Sequence, residues 1–263
     1  MKKSNLYTLL FLCLSMIAVV VFTTIRHVKS VNADENPPVP SAKNSVENAI
    51  ESIKITENLP DGKTETSEPK KLTIDEVLFI GDSRTVGLME YAQLEKADFF
   101  CTVGMSVFNI HKNSVSIPGT GKVTLTELLD SKTYSAVYIM LGVNEMGYKY
   151  ESILSKYAEL IEFVKGKQSD AAIIIHANLH VTKSRSDSDK TFNNHAINQL
   201  NTALSEFADN KSIFYLDAND LFDDSNGALS ADKSSDNTHL YAKYYEEWGN
   251  WIVQQTASLT KEE

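Results

Sequence analysis

Cysteine is nearly absent: Cys13 and Cys101 are the only two in 263 residues. Neither a disulfide framework nor a zinc cluster follows from such a pair. Positive charge is short as well, with 25 Lys and Arg against 35 Asp and Glu and a formal net charge of −10. A chain this acidic repels a phosphate backbone, which argues against nucleic acid as a partner. Proline is sparse over most of the length: Pro37, Pro38, Pro40, Pro60 and Pro69 fall early, and only Pro118 lies beyond them. No internal repeat is evident. The nucleophile pattern Gly-x-Ser-x-Gly is missing around Ser83, because Thr85 stands where its second glycine belongs, and this disfavours a classical α/β-hydrolase.

What is present divides the chain in three. After Lys2 and Lys3, residues 4–25 carry no charge and are long enough to cross a bilayer core, so this run reads as an export signal. Arg26, His27 and Lys29 separate it from the small-residue site Val31-Asn32-Ala33, which favours an uncleaved membrane anchor over 1–29. Secretion after cleavage is the alternative. Residues 30–72, with their prolines among Ser, Glu, Lys and Thr, read as a solvated linker. It would hold a domain at 73–263 outside the cell, on the surface.

Within that domain, short continuous apolar runs at 76–80, 99–103, 136–141, 171–175 and 213–216 predict strands. Amphipathic patterns at 150–167 and 192–208 predict helices, the first carrying Ile153, Leu154, Tyr157, Leu160, Ile161 and Val164 on one face. Their alternation predicts a parallel sheet covered on both faces, with ligands bound beyond the carboxyl ends of the strands. The residues that follow the strands are therefore the informative ones. Gly81-Asp82-Ser83 follows the first, Gly104 the second and Gly142-Val143-Asn144-Glu145 the third, while Asp236 and His239 precede the last helical pattern.

These are the groups that acyl transfer requires. A serine hydroxyl needs a base to take its proton, and the base needs a partner to orient it. Asp236 and His239, three apart, can face the same way if they open a helix. An oxyanion needs fixed donors, which the Ser83 and Gly104 amides and the Asn144 side chain can supply. Taken in order and spacing, Gly81-Asp82-Ser83, Gly104, Gly142-x-Asn144 and Asp236-x-x-His239 resemble the four signature blocks of SGNH (GDSL-type) hydrolases. The resemblance implies a flavodoxin-like α/β/α sandwich of three layers with a five-stranded parallel sheet. It also implies a triad of Ser83, His239 and Asp236, an oxyanion hole from Ser83, Gly104 and Asn144, and no cofactor. Two positions depart from the family pattern: Arg84 stands in place of leucine and Glu145 in place of aspartate.

Other readings of single residues remain. Ser83 could be a helix cap. Arg84 could contact a charged or polyhydroxylated substrate, or be a solvated arginine of the first turn. His176 and His180, four apart, have a spacing that serves metal ligation only on a helix, whereas this stretch reads as strand passing into loop. No metal is expected, and the two histidines are either substrate contacts on the rim or structural. Pro118-Gly119-Thr120-Gly121-Lys122-Val123 lacks the Ser or Thr of a phosphate loop and reads as a surface turn. No apolar segment is long enough to be a lipase lid. The expected activity is hydrolysis of short-chain esters, O-acetyl above all, on a glycan or small-molecule substrate at the cell surface. A lysophospholipase or thioesterase, an O-acyltransferase and a non-catalytic glycan-binding module are the alternatives.

Overall fold

The computed structural model describes residues 70–72 and 74–261. The expected anchor and nearly all of the expected linker lie outside the described residues. Among those described, no helix is long and apolar enough to cross a membrane. In chain order the elements begin with β1 (Lys70–Lys71), β2 (Val77–Gly81), α1 (Ser83–Tyr91), β3 (Asp98–Cys101), β4 (Ser114–Ile117) and β5 (Gly121–Thr124). Next come α2 (Leu125–Ser131), β6 (Ala136–Met140), α3 (Tyr150–Lys167), β7 (Ala172–His176) and α4 (Lys183–Ser188). The chain ends with α5 (Asn194–Ser205), β8 (Ile213–Leu216), α6 (Asn219–Phe222), α7 (Ala242–Ser258) and β9 (Thr260–Lys261).

Five strands pair in the order β3-β2-β6-β7-β8, all parallel, which is the doubly wound arrangement expected. Alternation along each strand sends one set of residues to each face. Leu78, Ile80, Val137, Ile139, Ile173 and Ile175 join the buried faces of α2, α3 and α5, while Val77, Phe79, Ala136, Tyr138, Ala172 and Ile174 join α1 and α7. Both faces are covered, so the strands read as unbroken apolar runs. The fold is the three-layer α/β/α sandwich.

Several boundaries differ from expectation for identifiable reasons. β3 stops at Cys101 because the chain turns there, with the Met105 amide donating to the Thr102 carbonyl at 3.1 Å and Val103 left 75% exposed. Helix α5 starts at Asn194 because the Asn193 side chain caps it, accepting from the Ala196 amide. The hairpin β4–β5 is too short and too polar to be seen by period, and Pro118 lies in its turn. The chain also joins the fold before residue 73: β1 pairs with β9, and Leu72 is buried in the core. Cys101 is free and buried, its thiol pushed up to about 12 by burial and by the Asp82 charge; Cys13 lies outside the described residues.

Candidate active site

The chain order reverses between β2 and β6, the second and third strands of the sheet, and a parallel sheet opens a crevice there beyond the carboxyl ends of its strands. Asp82 leaves β2 as the N-cap of α1, its carboxylate accepting from the Arg84 amide at 2.9 Å. Capping is thus the work of Asp82, and Ser83 is free of it. The Ser83 Oγ lies 2.8 Å from His239 Nε2, and His239 Nδ1 lies 2.7 Å from Asp236 Oδ2. An ionised carboxylate only accepts, so Nδ1 carries the proton and Nε2 is left with a lone pair facing the serine hydroxyl.

Asp236 and His239 do not open a helix, as the spacing suggested. They sit in a turn ahead of α7, closed by Asp236 Oδ1 accepting from the amides of Thr238 (2.9 Å) and His239 (2.8 Å). Partial burial raises the Asp236 carboxyl, but these amides and the imidazole outweigh it and hold it well below the usual carboxylate range. It stays an anion.

Gly104 is exposed and adopts φ +76°, a conformation in which glycine has no penalty. Asn144, in the single turn Val143–Glu145 after β6, donates from Nδ2 to the Met105 carbonyl at 2.9 Å and to Asp82 Oδ2 at 3.3 Å. Ser83, Asn144 and the Gly104 loop are thereby linked through Asp82 and Met105. A serine nucleophile with a base and an orienting acid, beside candidate oxyanion donors, is an arrangement suited to acyl transfer.

A model of the GDSL-like lipase/acylhydrolase family matches residues 79–247. The chain belongs to that family. It is a hydrolase of the GDSL type. Its structure is similar to a GDSL-like lipase from Bacteroides thetaiotaomicron, with 14% identity, a TM-score of 0.53, and coverage of 81% of this chain and 98% of that one. It is also similar to a candidate acylhydrolase from Bacteroides fragilis, with 16% identity, a TM-score of 0.53, and coverage of 85% and 99%. A candidate platelet activating factor from Streptococcus pneumoniae shows 17% identity, a TM-score of 0.54, and coverage of 82% and 94%. At such identities the likeness is one of fold. No curated protein matches the chain.

Both departures from the GDSL pattern prove to be buried. Arg84 is 1% exposed, so it is neither a solvated first-turn arginine nor a substrate contact. Tyr245 of α7 lies over this part of α1, so close that a Cβ at Gly87 would stand 2.5 Å from its hydroxyl. Glycine at 87 is what lets the two helices close. The three guanidinium nitrogens of Arg84 have no hydrogen-bond partner among the described residues. Burial pulls its pKa down, and the charges of Asp82, Tyr245 and Asp236 oppose that. Glu145 is fully buried, its carboxyl pushed up to about 7 by burial and by Asp82, with the Val107 amide working the other way.

The two rim histidines are also corrected. His176 is 2% exposed; its Nε2 accepts from the Trp248 indole at 3.1 Å, so Nδ1 carries the proton and donates to the Ala177 carbonyl at 2.9 Å. Burial pushes its pKa down, and it is a neutral core histidine. His180 is 8% exposed, with Nδ1 2.7 Å from Asp223 Oδ2 and Nε2 2.7 Å from Asn198 Oδ1. With every ring nitrogen engaged, neither residue is placed to contact substrate. Among the described residues no group of three or more His, Cys, Asp or Glu could hold a metal ion.

Proposed function

We propose that the protein is an exported serine esterase that removes short acyl groups, O-acetyl foremost, from cell-wall or extracellular carbohydrate. The observation that carries the serine mechanism is the continuous line from Ser83 Oγ through the His239 ring to Asp236. In this mechanism His239 Nε2 takes the hydroxyl proton as Ser83 Oγ bonds to the ester carbonyl carbon. The oxyanion meets the amides of Ser83 and Gly104 and the Asn144 side chain, which gives up its longer contact to Asp82 and keeps the Met105 carbonyl. His239 returns the proton to the departing sugar oxygen, leaving Ser83 acylated. Water, deprotonated by the same ring, then releases the acid.

A short acyl group fits the exposure of the rim: Val103, Gly104 and Asn144 are open to solvent rather than roofed by apolar chain. The carbohydrate substrate and the surface location rest on the uncharged run at 4–25 and the polar stretch after it, which would deliver the domain to acetylated glycans outside the membrane. The test is hydrolysis of p-nitrophenyl acetate against longer acyl chains, and acetate release from O-acetylated glycans, with Ser83→Ala alongside. Turnover confined to short chains and lost in the variant is the expected result. Acetate release indifferent to Ser83 overturns the serine mechanism, and saturable glycan binding without turnover would make the domain a binding module.

A further inference from the structure

Glu145 has no part in the mechanism above, yet it is a buried carboxylate next to Asn144. It lies at the end of the turn Val143–Glu145, and its Oε1 accepts from the Val107 amide at 2.6 Å. From the same turn, Asn144 holds the Met105 carbonyl at 2.9 Å. One turn after β6 therefore grips the loop after β3 at two residues, on either side of Ser106. The loop's further ties run to the end of β2, where the Gly81 carbonyl accepts from the Thr102 amide at 3.4 Å, and within the loop, where Asn109 accepts from the Ser106 amide at 2.9 Å and donates to the Gly104 carbonyl at 3.2 Å.

We propose that Glu145 is a positioning residue, whose carboxylate clamps the Val107 amide and so fixes the loop that presents Gly104 to the substrate ester. This rests on the esterase reading. If position 145 were only filling space, an apolar side chain would fit without the desolvation that a buried carboxylate suffers. The second oxygen, Oε2, has no hydrogen-bond partner among the described residues. The titratable groups that face Glu145 are Asp82, from the end of β2, and Tyr157, from α3, and neither offers a compensating positive charge. The Val107 amide is thus the main group that favours the charged form, and a charge-assisted bond to it is stronger than a neutral one.

Glu145→Ala removes the acceptor, whereas Glu145→Gln keeps an oxygen for Val107 and abolishes the titration. With p-nitrophenyl acetate, Glu145→Ala should lower kcat by roughly 10- to 100-fold with KM nearly unchanged, short of the loss from deleting an oxyanion donor outright. Amide hydrogen exchange over residues 103–108 should quicken in the same variant. Glu145→Gln should retain most of kcat and the exchange protection. The Val107 amide proton shift should titrate with a midpoint near 7 in the parent protein and lie flat in Glu145→Gln. A Glu145→Ala protein with parental kcat and exchange overturns the proposal, as does a Glu145→Gln protein as impaired as Glu145→Ala. If turnover proves independent of Ser83, the esterase reading fails separately, and exchange over 103–108 decides whether the clamp exists. Should Glu145→Ala not fold, amide exchange decides: a Val107 amide that is unprotected in the parent, or that loses its protection in Glu145→Gln, overturns the clamp.

Discussion

Two histidine–aspartate pairs lie in this domain with the same Nδ1–Oδ2 distance, 2.7 Å in both His239–Asp236 and His180–Asp223. They differ in what the other ring nitrogen meets and in how much water reaches them. His239 Nε2 faces the Ser83 hydroxyl, which can give up a proton, and its side chain and that of Asp236 are 37% and 54% exposed. His180 Nε2 faces the Asn198 side-chain oxygen, which only accepts, and its pair is 10% and 12% exposed. Both His180 nitrogens thus face acceptors, an arrangement that favours the imidazolium and turns no lone pair toward a proton donor. An oriented imidazole is thus not by itself a catalytic sign; the partner of the second nitrogen decides the role.

The sharpest break of this comparison is in rate. Ser83→Ala and His239→Ala should each lower turnover of p-nitrophenyl acetate by about 10³-fold or more, leaving what binding and the oxyanion donors supply. His180→Ala, assayed well below its unfolding temperature, should keep kcat within a factor of two. A large kcat loss in His180→Ala would mean that the buried pair takes part in the chemistry.

The same variants should reverse their order in stability. Removing His180 leaves Asp223 buried without its partner, a change expected to cost about 3 kcal/mol or more. Thermal unfolding is the measure, and the effect has a sign in pH. Burial lowers the His180 pKa, but the bonds to Asp223 and Asn198 outweigh it and hold the value above the ordinary one. A raised folded-state value means that the stabilisation is complete below about pH 6.5 and fades as pH climbs through the folded value. The gap in Tm between the parent and His180→Ala should therefore be widest in mild acid and narrow as pH rises. A gap that widens with pH would show that His180 is neutral in the fold.

A further difference lies behind the pairs. Asp236 has a buried cation within electrostatic reach, Arg84, on which the N-cap Asp82 exerts the strongest opposing charge. Burial raises the Asp82 carboxyl and the Arg84 charge is the strongest influence against that. Arg84→Met breaks no guanidinium hydrogen bond but removes the charge that offsets the burial of Asp82, so a loss of about 1 kcal/mol is expected, and adding Asp82→Asn should recover part of it. Strict additivity in urea unfolding would mean that the two charges do not support one another.

What could be read from the sequence follows the same division between rim and interior. Ser83, Asp236 and His239, which the structure brings together, stood out in the sequence because they fall in the order and spacing of the family's blocks, Ser83 just after β2 and the other two in the turn before α7. Helix α3 and strand β8 match their expected bounds because their apolar residues keep one period from end to end. Arg84 was misread because it is buried on a helix, α1, against which Tyr245 of the distant α7 packs at Gly87; position in a first turn says nothing of that. Pairing of β1 with β9 is likewise a contact between distant ends that no local pattern encodes. Glu145 gave one signal, its departure from the family pattern, and burial alone explains why a carboxylate there is consequential.

The smallest expected effect tests whether the two pairs are mechanically joined. Thr182, two residues after His180, donates from Oγ1 to Asn237 Oδ1 at 2.9 Å, and its amide donates to the Asn237 carbonyl at 3.0 Å. Asn237 adjoins Asp236 and holds the left-handed conformation, φ 67°, that bends the chain between the acid and His239. Thr182→Val keeps the branched shape and the backbone bond but deletes the hydroxyl, which also caps α4 by accepting from the Arg185 amide at 3.3 Å. A loss of about 1 kcal/mol is expected from the cap and the side-chain bond together. If the buried pair braces the reactive one, kcat should fall a few-fold with KM unchanged, and Thr182→Ser should restore both stability and rate. A stability loss with parental kcat would mean that the Asp236–His239 turn is held by its own hydrogen bonds, and that the two pairs share a geometry without sharing a load.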